Sequence, residues 1–384
     1  MTPAARAQAA IEILDLVIAS AREDGPPADA LVSGYFKTRR YAGSKDRRAV
    51  RELVFRAIRH SAEVPASGRA ALLPLAAELF NGSPHGPAPR QTGEAEAAAG
   101  IVPDWLGPVL SPLVSQAEWP ALVERAPLDL RANLARTSRE AMAAHFSGEP
   151  TPLSPWGLRL SPDSAVTGDQ AFADGLVEVQ DEGSQLIALA CEPAAGKLMV
   201  DLCAGAGGKA LALAAAAPGA RIVACDTSRQ RLSKLRPRAE RAGAAIESRL
   251  LDQPREAETL TDLEGQADVV LVDAPCSGSG TWRRNPEGRW RLTPERLERL
   301  LALQARVLDL AAPLVKPGGL LVYAVCSLLQ REGEAQAEAF LSRHSAGFGE
   351  DTGMTFGRSD GVGRLLTPGH DRTDGFFLAR FRAR

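Results

Sequence analysis

The stretch LMVDLCAGAGGKALALAAAAPGARIVACD, Leu198–Asp226, decides the fold. An apolar run, LMVDL (Leu198–Leu202), stops at a glycine-rich turn. Helical periodicity follows over Lys209–Ala217, and a second apolar run, RIVAC (Arg221–Cys225), comes next. Short continuous apolar runs bounded by turn residues suit strands buried on both faces, and strand–helix–strand at this spacing is the unit of a parallel sheet.

The pattern repeats downstream. SRLLD (Ser248–Asp252), DVVLVD (Asp268–Asp273) and GLLVYAVC (Gly319–Cys326) read as strands. Helical patterns cover Ser228–Ala242, Pro294–Leu314 and Glu332–His344, with a KPGG turn (Lys316–Gly319) closing the helix that starts at Pro294. From about Gly196 onward the expectation is a doubly wound α/β domain. Upstream the character differs. The first stretch, to about Pro65, reads as helices (Ile11, Leu14 and Ile18 at helical spacing, then Ala28–Phe36 and Asp46–His60). A Pro/Gly-rich loop, Asn81–Gly93, leads to more helix around Trp105 and Trp119. Ala126–Ser184 looks mixed, with short strands at Gly157–Leu160 and Leu176–Gln180.

Composition narrows the class. The 384 residues are 45% hydrophobic and 24% charged, which is globular and excludes wholesale disorder or a fibrous chain. No window offers the ~20 uncharged apolar residues of a bilayer span. Glu12 and Asp15 interrupt the opening apolar residues, so no secretory layout is read there and a cytoplasmic protein is expected. The five cysteines include no C-x-x-C and the five histidines are scattered, so neither a disulfide framework nor a metal site is expected. A net charge of −2 argues against indiscriminate coating of nucleic acid but leaves room for local basic faces. One such face lies between Lys37 and Arg59, where nine cations including Arg47 and Arg48 face only Asp46 and Glu52.

In open α/β sheets ligands bind beyond the carboxyl ends of the strands. DLCAGAGGKA (Asp201–Ala210) occupies that place, and Gly205, Gly207 and Gly208 let a ligand approach the backbone closely. The spacing is G-x-G-G, neither the dinucleotide fingerprint nor a phosphate loop. Asp226, ending the second strand, is placed to accept both hydroxyls of a ribose, which suits NAD and S-adenosylmethionine alike. Asp252 follows the third strand and reads as an adenine contact or as an ordinary helix cap.

Two cysteines stand at neighbouring strand ends: Cys276 in DAPCSGSGT (Asp273–Thr281) and Cys326 in AVCS (Ala324–Ser327). Cys191, Cys203 and Cys225 read by themselves as buried filler. The pair suits methylation of pyrimidine carbon 5. A thiolate adding to carbon 6 makes carbon 5 nucleophilic, a carboxylic acid near ring nitrogen 3 assists, and a base then removes the carbon 5 proton.

These motifs resemble the Sun/RsmB family of RNA cytosine-5 methyltransferases. The likeness rests on Asp201–Lys209, Asp273–Gly280, Arg283–Trp290 and Lys316–Ser327, and extends to Pro127–Glu140, Val179–Leu186 and Thr373–Phe381. It implies a Rossmann-like class I methyltransferase domain using S-adenosylmethionine. By position, Cys326 matches the nucleophile, Cys276 the cysteine assisting product release, Asp273 the contact to cytosine nitrogen 3 and amine, and Lys209 an active-site lysine. Cys203, Ala204, Gly205, Ala206, Gly207, Gly208, Lys209, Asp226, Arg231, Asp252 and Asp273 match cofactor positions. The family usually has Pro where Ala206 stands and Thr where Val325 stands, which touches cofactor affinity but removes no reacting group. Arg283, Arg284, Arg289 and Arg291 are expected to meet RNA phosphates, with Trp282 or Trp290 stacking on a base. The helix with Arg229, Arg231, Lys234, Arg236, Arg238 and Arg241 reads as a solvated outer helix. Ser44–His60 bears a weaker likeness to NusB-like RNA-binding domains.

The resulting expectation is a helical domain over 1–115, a small α+β extension over 116–195 and a methyltransferase domain over 196–384. The chain is expected to act as a monomer on RNA, ribosomal RNA foremost and transfer RNA as the alternative. A non-catalytic ribosome-assembly factor is the reading from another class, and a dehydrogenase leaves the paired cysteines unexplained.

Overall fold

A computed structural model describes residues 1–23 and 25–384. The chain divides into two compact units: Met1–Leu110, Ser115–Glu124 and Thr281–Pro294 form one, and Ser111–Val114, Arg125–Gly280 and Glu295–Arg384 the other.

The first unit is built around the helices Pro3–Arg22, Ala28–Lys37, Ser44–His60 and Gly68–Leu72. Thr2 caps the first by accepting from the Ala5 amide, with Pro3 preset at the first helical position. Its buried stripe, Ala7, Ala10, Ile11, Leu14, Val17, Ile18 and Ala21, follows the 3.6-residue period and meets Val50, Val54 and Ile58 of Ser44–His60. The excursion Thr281–Pro294 leaves the sheet domain's chain run and belongs to this helical unit, where Trp290 joins the core. Reading the chain as contiguous domains missed this insertion, because nothing local in a loop sequence says which core it enters.

In the second unit, strands β1 (Leu128–Ala132), β2 (Glu149–Pro150), β3 (Gly157–Leu160) and β4 (Val177–Val179) make a small antiparallel sheet in the order β2-β3-β1-β4. The larger sheet contains β5 (Leu198–Asp201), β6 (Arg221–Asp226), β7 (Ile246–Leu250), β8 (Ala267–Asp273), β9 (Val315–Val325), β10 (Phe348–Glu350), β11 (Arg358–Asp360), β12 (Gly363–Leu366) and β13 (Phe376–Ala383). Its order is β11-β12-β13-β9-β8-β5-β6-β7, with β10 paired to β13. Strands β5 to β9 run parallel and β13 is inserted antiparallel beside β9, which is the Rossmann-like methyltransferase arrangement. Alternate residues Met199, Ile222, Ala224, Val269, Leu271, Leu320 and Val322 pack on Leu186, Leu211, Leu213 and Leu235. Their neighbours Val200, Val223, Val270, Leu321 and Tyr323 are also buried, so the central strands are covered on both faces.

Two elements differ from the expected ones. The basic helix is two helices, Arg229–Leu232 and Leu235–Ala242. Pro237 lacks an amide hydrogen and its ring opposes the Ser233 carbonyl four residues back, so the break falls there. The KPGG segment lies within β9 at a register irregularity opposite Ala267–Val269, with Gly318 at φ +74°.

Candidate active site

Strands β8 and β9 end level with each other: Asp273 pairs with Ala324, and the Ala274 amide donates to the Ala324 carbonyl at 2.9 Å. The chain then leaves both strands at the same edge, which brings Cys276 Sγ to 3.3 Å from Cys326 Sγ. Both thiols are partly exposed, whereas Cys191 and Cys225 are buried in the core. The hydrogen bond with Cys326, then burial, then the negative charge of Cys326 and of Glu332 push the Cys276 thiol well above the usual range. Cys276 is therefore held as a thiol beside the Cys326 sulfur. Burial first, then the charge of Asp201, push the Cys225 thiol up to about 12, as befits filler.

Lys209, in the first turn of the helix Gly208–Ala216, donates to Asp273 Oδ2 at 2.5 Å. Burial presses the Lys209 ammonium down, but Asp273, Asp201 and Cys326 outweigh it and its pKa stands above the usual value. Asp201 is buried beneath them; burial first, then Asp273, push its carboxyl up to about 7.

The glycine loop sits between β5 and this helix. Gly205 has φ +56° and Gly207 φ +81°, a region that favours glycine. A Cβ on Gly207 would stand 2.1 Å from Leu235 Cδ1, so the loop packs there. A Cβ on Gly205 would meet nothing within 4 Å, which leaves that face of the loop open. Asp226 is buried at the end of β6 and accepts from the Gly205 amide at 2.8 Å, the Ser228 amide at 2.6 Å and Arg231 at 3.2 Å. A concavity beside it is lined by Cys203, Leu251, Pro275, Leu303 and Val307. A carboxylate at one end of an apolar slot, next to an open glycine turn, fits the ribose and the flat base of a nucleoside cofactor. Asp252 is exposed on the loop after β7 and is not part of that lining.

Glu332 was invisible to sequence reasoning. It is fully buried and receives Ser277 N at 2.8 Å, Gln304 Nε2 at 2.9 Å and Ser327 Oγ at 2.6 Å, together with the Ser277 hydroxyl. Each serine adjoins one of the two cysteines. A carboxylate five residues beyond Ser327 looks like any helix-start acid in sequence, so only a rule tying it to the two cysteine loops would have found it.

The description of the matching family model is 16S rRNA methyltransferase RsmB/F, and the match covers residues 188–382. The chain belongs to the RsmB/F methyltransferase family. It is 36% identical over 272 residues to ribosomal RNA small subunit methyltransferase B of Salmonella arizonae, covering 68% of this chain and 62% of that protein. It is 36% identical over 277 residues to the Xylella fastidiosa protein of the same name, covering 70% and 64%. The chain thus spans somewhat less than two thirds of the length of these relatives. The solved structure of PH0851 matches at a TM-score of 0.76 with 21% identity, covering 98% of both chains. NSun6 from Pyrococcus horikoshii, solved with SFG, matches at 0.61 with 19% identity, covering 68% of this chain and 92% of that one. At those identities the likeness is one of fold.

As an RsmB/F member the chain departs from expectation at several residues. Arg289, expected to meet RNA, is buried in the helical unit, where its guanidinium donates to the carbonyls of Ile58, Ile101 (2.7 Å) and Pro286 (3.0 Å). Burial, with Arg59 nearby, lowers its pKa to about 10. Ile58 lies in the last turn of Ser44–His60, so Arg289 closes that helix's orphan carbonyls. Glu287 accepts from the Ala28 amide at 3.0 Å at the start of Ala28–Lys37, and Trp290 Nε1 donates to the Ser61 carbonyl at 3.0 Å. Trp282 and Arg283 are buried as well, so neither tryptophan offers a free ring, while Arg284 is half-buried. Arg47 and Arg48 are exposed on the helical unit, in a groove with Asp29, Phe36 and Arg51. The outer helix is not simply solvated: Arg238 and Arg241 pair with the buried Glu178 of β4, and Arg238 donates to the Ala206 carbonyl at 2.8 Å. That bond braces the loop at the position where the family usually has proline. Val325 is fully buried on β9 opposite Phe377. Among the described residues, no helix is long and apolar enough to cross a membrane.

Proposed function

We propose that the chain transfers a methyl group from S-adenosylmethionine to carbon 5 of a cytosine in RNA, with small-subunit ribosomal RNA as the substrate class. One observation carries the reading: two thiols at 3.3 Å, at the carboxyl edge of the sheet, beside a Lys209–Asp273 pair. The names of the relatives support ribosomal RNA as the substrate.

Gly205, Asp226, Cys203 and the slot ending at Leu303 would hold the cofactor, and the open face at Gly205 fits the test of a close-approaching ligand. S-adenosylmethionine supplies an electrophilic methyl group when bound. The chain's own residues do the rest. Cys326, as thiolate, forms a bond to carbon 6 and pushes the ring electrons toward carbon 5. The Lys209 ammonium, which feels the Cys326 charge, favours that thiolate by the same interaction. Asp273, fixed by Lys209, would meet nitrogen 3 and the exocyclic amine, accepting from the amine and holding at nitrogen 3 the proton that offsets the negative charge the addition puts on the ring. After methylation a base takes the carbon 5 proton, the electrons of that C–H bond re-form the carbon 5–carbon 6 double bond and expel Cys326 as thiolate, and Cys276 assists this release. Arg47 and Arg48, on the helical unit, serve as contacts to RNA phosphates.

The test uses radiolabelled S-adenosylmethionine with total RNA from a strain lacking the protein, followed by fractionation and nucleoside digestion. Label in 5-methylcytosine from small-subunit ribosomal RNA is the expected result. Label in transfer RNA moves the substrate class, and no label with any RNA, free or in particles, overturns the reading.

A further inference from the structure

Glu332 is a buried carboxylate with an unusual set of partners. All its donors are neutral: one backbone amide, two serine hydroxyls and the Gln304 side-chain amide. Among the described residues no Lys, Arg or His forms an ion pair with it. Burying an unpaired charge is costly, and four donors aimed at it offset that cost only while the surrounding loops hold still. The main chain at Glu332 is fixed too, since the Tyr323 hydroxyl donates to its carbonyl at 2.6 Å.

The donors are not scattered. Ser277 follows Cys276 and Ser327 follows Cys326, so the carboxylate ties together the loops that carry the two thiols. Ser279 adds a second strap, with Oγ 3.1 Å from Ser327 Oγ and accepting from the Leu328 amide at 2.8 Å. The Gly280 amide donates to the Cys326 carbonyl at 3.0 Å. Two loops leaving parallel strands have no ladder to hold them in register, and here a side-chain network takes over that task.

We propose that Glu332 is a positioning residue: through Ser277 and Ser327 it holds the Cys276 and Cys326 sulfurs against each other. The division of labour rests on the methyltransferase reading, but the geometry does not. The charged and titratable groups around the thiols are Cys276, Cys326, Glu332, Tyr323, Lys209 and Asp273. Of these, Glu332 is the negative charge on the Cys276 side, and the Lys209 ammonium is the positive one on the Cys326 side. The Glu332 charge therefore adds to burial and to the sulfur contact in holding the proton on Cys276. Removing the Glu332 charge weakens that hold without touching either sulfur.

The experiment measures alkylation of each cysteine by iodoacetamide in the full-length chain across pH 6 to 10, read by peptide mass spectrometry. In the unchanged protein Cys276 labels only in the alkaline range. In Glu332→Gln the onset at Cys276 moves down by about one pH unit, a roughly tenfold rise in its rate at fixed pH, and Glu332→Asp restores part of the difference. A folded Glu332→Gln protein with an unchanged pH profile at Cys276 overturns the proposal. If that variant fails to fold, Ser277→Ala and Ser327→Ala, each removing one arm, take its place. Unchanged profiles in both are equally decisive against it. Labelling needs no RNA, so failure of the methyltransferase reading shows up separately, as absent methyl transfer with the cysteine profiles intact.

Discussion

Lys209 Nζ lies 2.5 Å from Asp273 Oδ2, joining the first helix of the Rossmann-like half to the end of the strand that leads to Cys276. The pair is only modestly exposed, with Lys209 at 12% and Asp273 at 27%. That contact holds the Asp273 carboxylate in one orientation, and the ammonium stands near Cys326. Lys209→Met leaves Asp273 without its cation and removes the charge that favours the Cys326 thiolate. Methyl transfer should fall by about 100-fold or more, chiefly in kcat, as for loss of one polar group acting in the transition state. Single-turnover kinetics with saturating RNA checks this, and a change confined to KM would count against it.

The two sulfurs make opposite predictions. Cys326→Ala should abolish both methyl transfer and any covalent RNA complex. Cys276→Ala should retain attack but stall release, so a protein–RNA band accumulates on a denaturing gel. Loss of activity with no band would mean that Cys276 is structural or that the roles are exchanged.

Gly205 and Gly207 separate cofactor fit from loop packing. Both sit at positive φ, so an added Cβ costs each about 1–2 kcal/mol of backbone strain. At Gly207 the Cβ also collides with Leu235, so Gly207→Ala should lower Tm well beyond that. At Gly205 it projects into open space, so Gly205→Ala should melt within a few degrees of the parent yet bind S-adenosylmethionine at least tenfold more weakly. Calorimetric titration and a melting curve on the same samples decide it.

Arg289 and Arg48 separate structure from RNA contact. Arg289→Ala strips three carbonyls of a charged donor inside the helical unit, and destabilisation of about 2–4 kcal/mol is expected. Arg48→Ala, on an exposed helix face, should leave Tm unchanged while weakening RNA binding and lowering the salt dependence by roughly one phosphate's worth. Urea unfolding and filter binding at several salt concentrations test the two in parallel.

Asp201 carries the pH prediction. Its folded carboxyl keeps its proton to about pH 7, against a usual value of 3.8, because it is buried and faces Asp273. Between those values the folded state binds more protons than the unfolded one, so this residue erodes stability as pH rises from about 4 to 7. Asp201→Asn removes the effect. The variant should match the parent's Tm near pH 4 and exceed it at pH 7.5, by on the order of a few kcal/mol in stability. Parallel Tm curves across that range would mean that Asp201 is ionised throughout.

Much of the site was legible in the chain. The strands ending at Asp226 and Asp273 were read to within a residue at each end, and the one before Cys326 at its carboxyl end only, because a buried parallel strand writes itself as an apolar run bounded by turn residues. Gly205, Gly207 and the two cysteines were legible for a similar reason: each stands immediately beyond such a run, where α/β sheets place their ligands. Arg289 was not. Its immediate neighbours, RRNPEGRW, look like a basic solvent loop, and apart from Pro286 the carbonyls it closes, those of Ile58 and Ile101 among them, belong to residues more than 180 positions away. Asp252, read as an adenine contact or an ordinary helix cap, lies exposed on the loop after its strand.

From sequence alone follow the doubly wound sheet, its glycine turn and the pairing of thiols at one edge, since hydrophobic period, chain punctuation and strand order are local properties that survive in one dimension. Tertiary structure decided that the two sulfurs stand at 3.3 Å, that Glu332 binds the two loops together, and that the loop after Cys276 enters the helical core. Those depend on burial and on donors brought from distant segments, and a charged residue has the same letter whether it faces water or closes a helix.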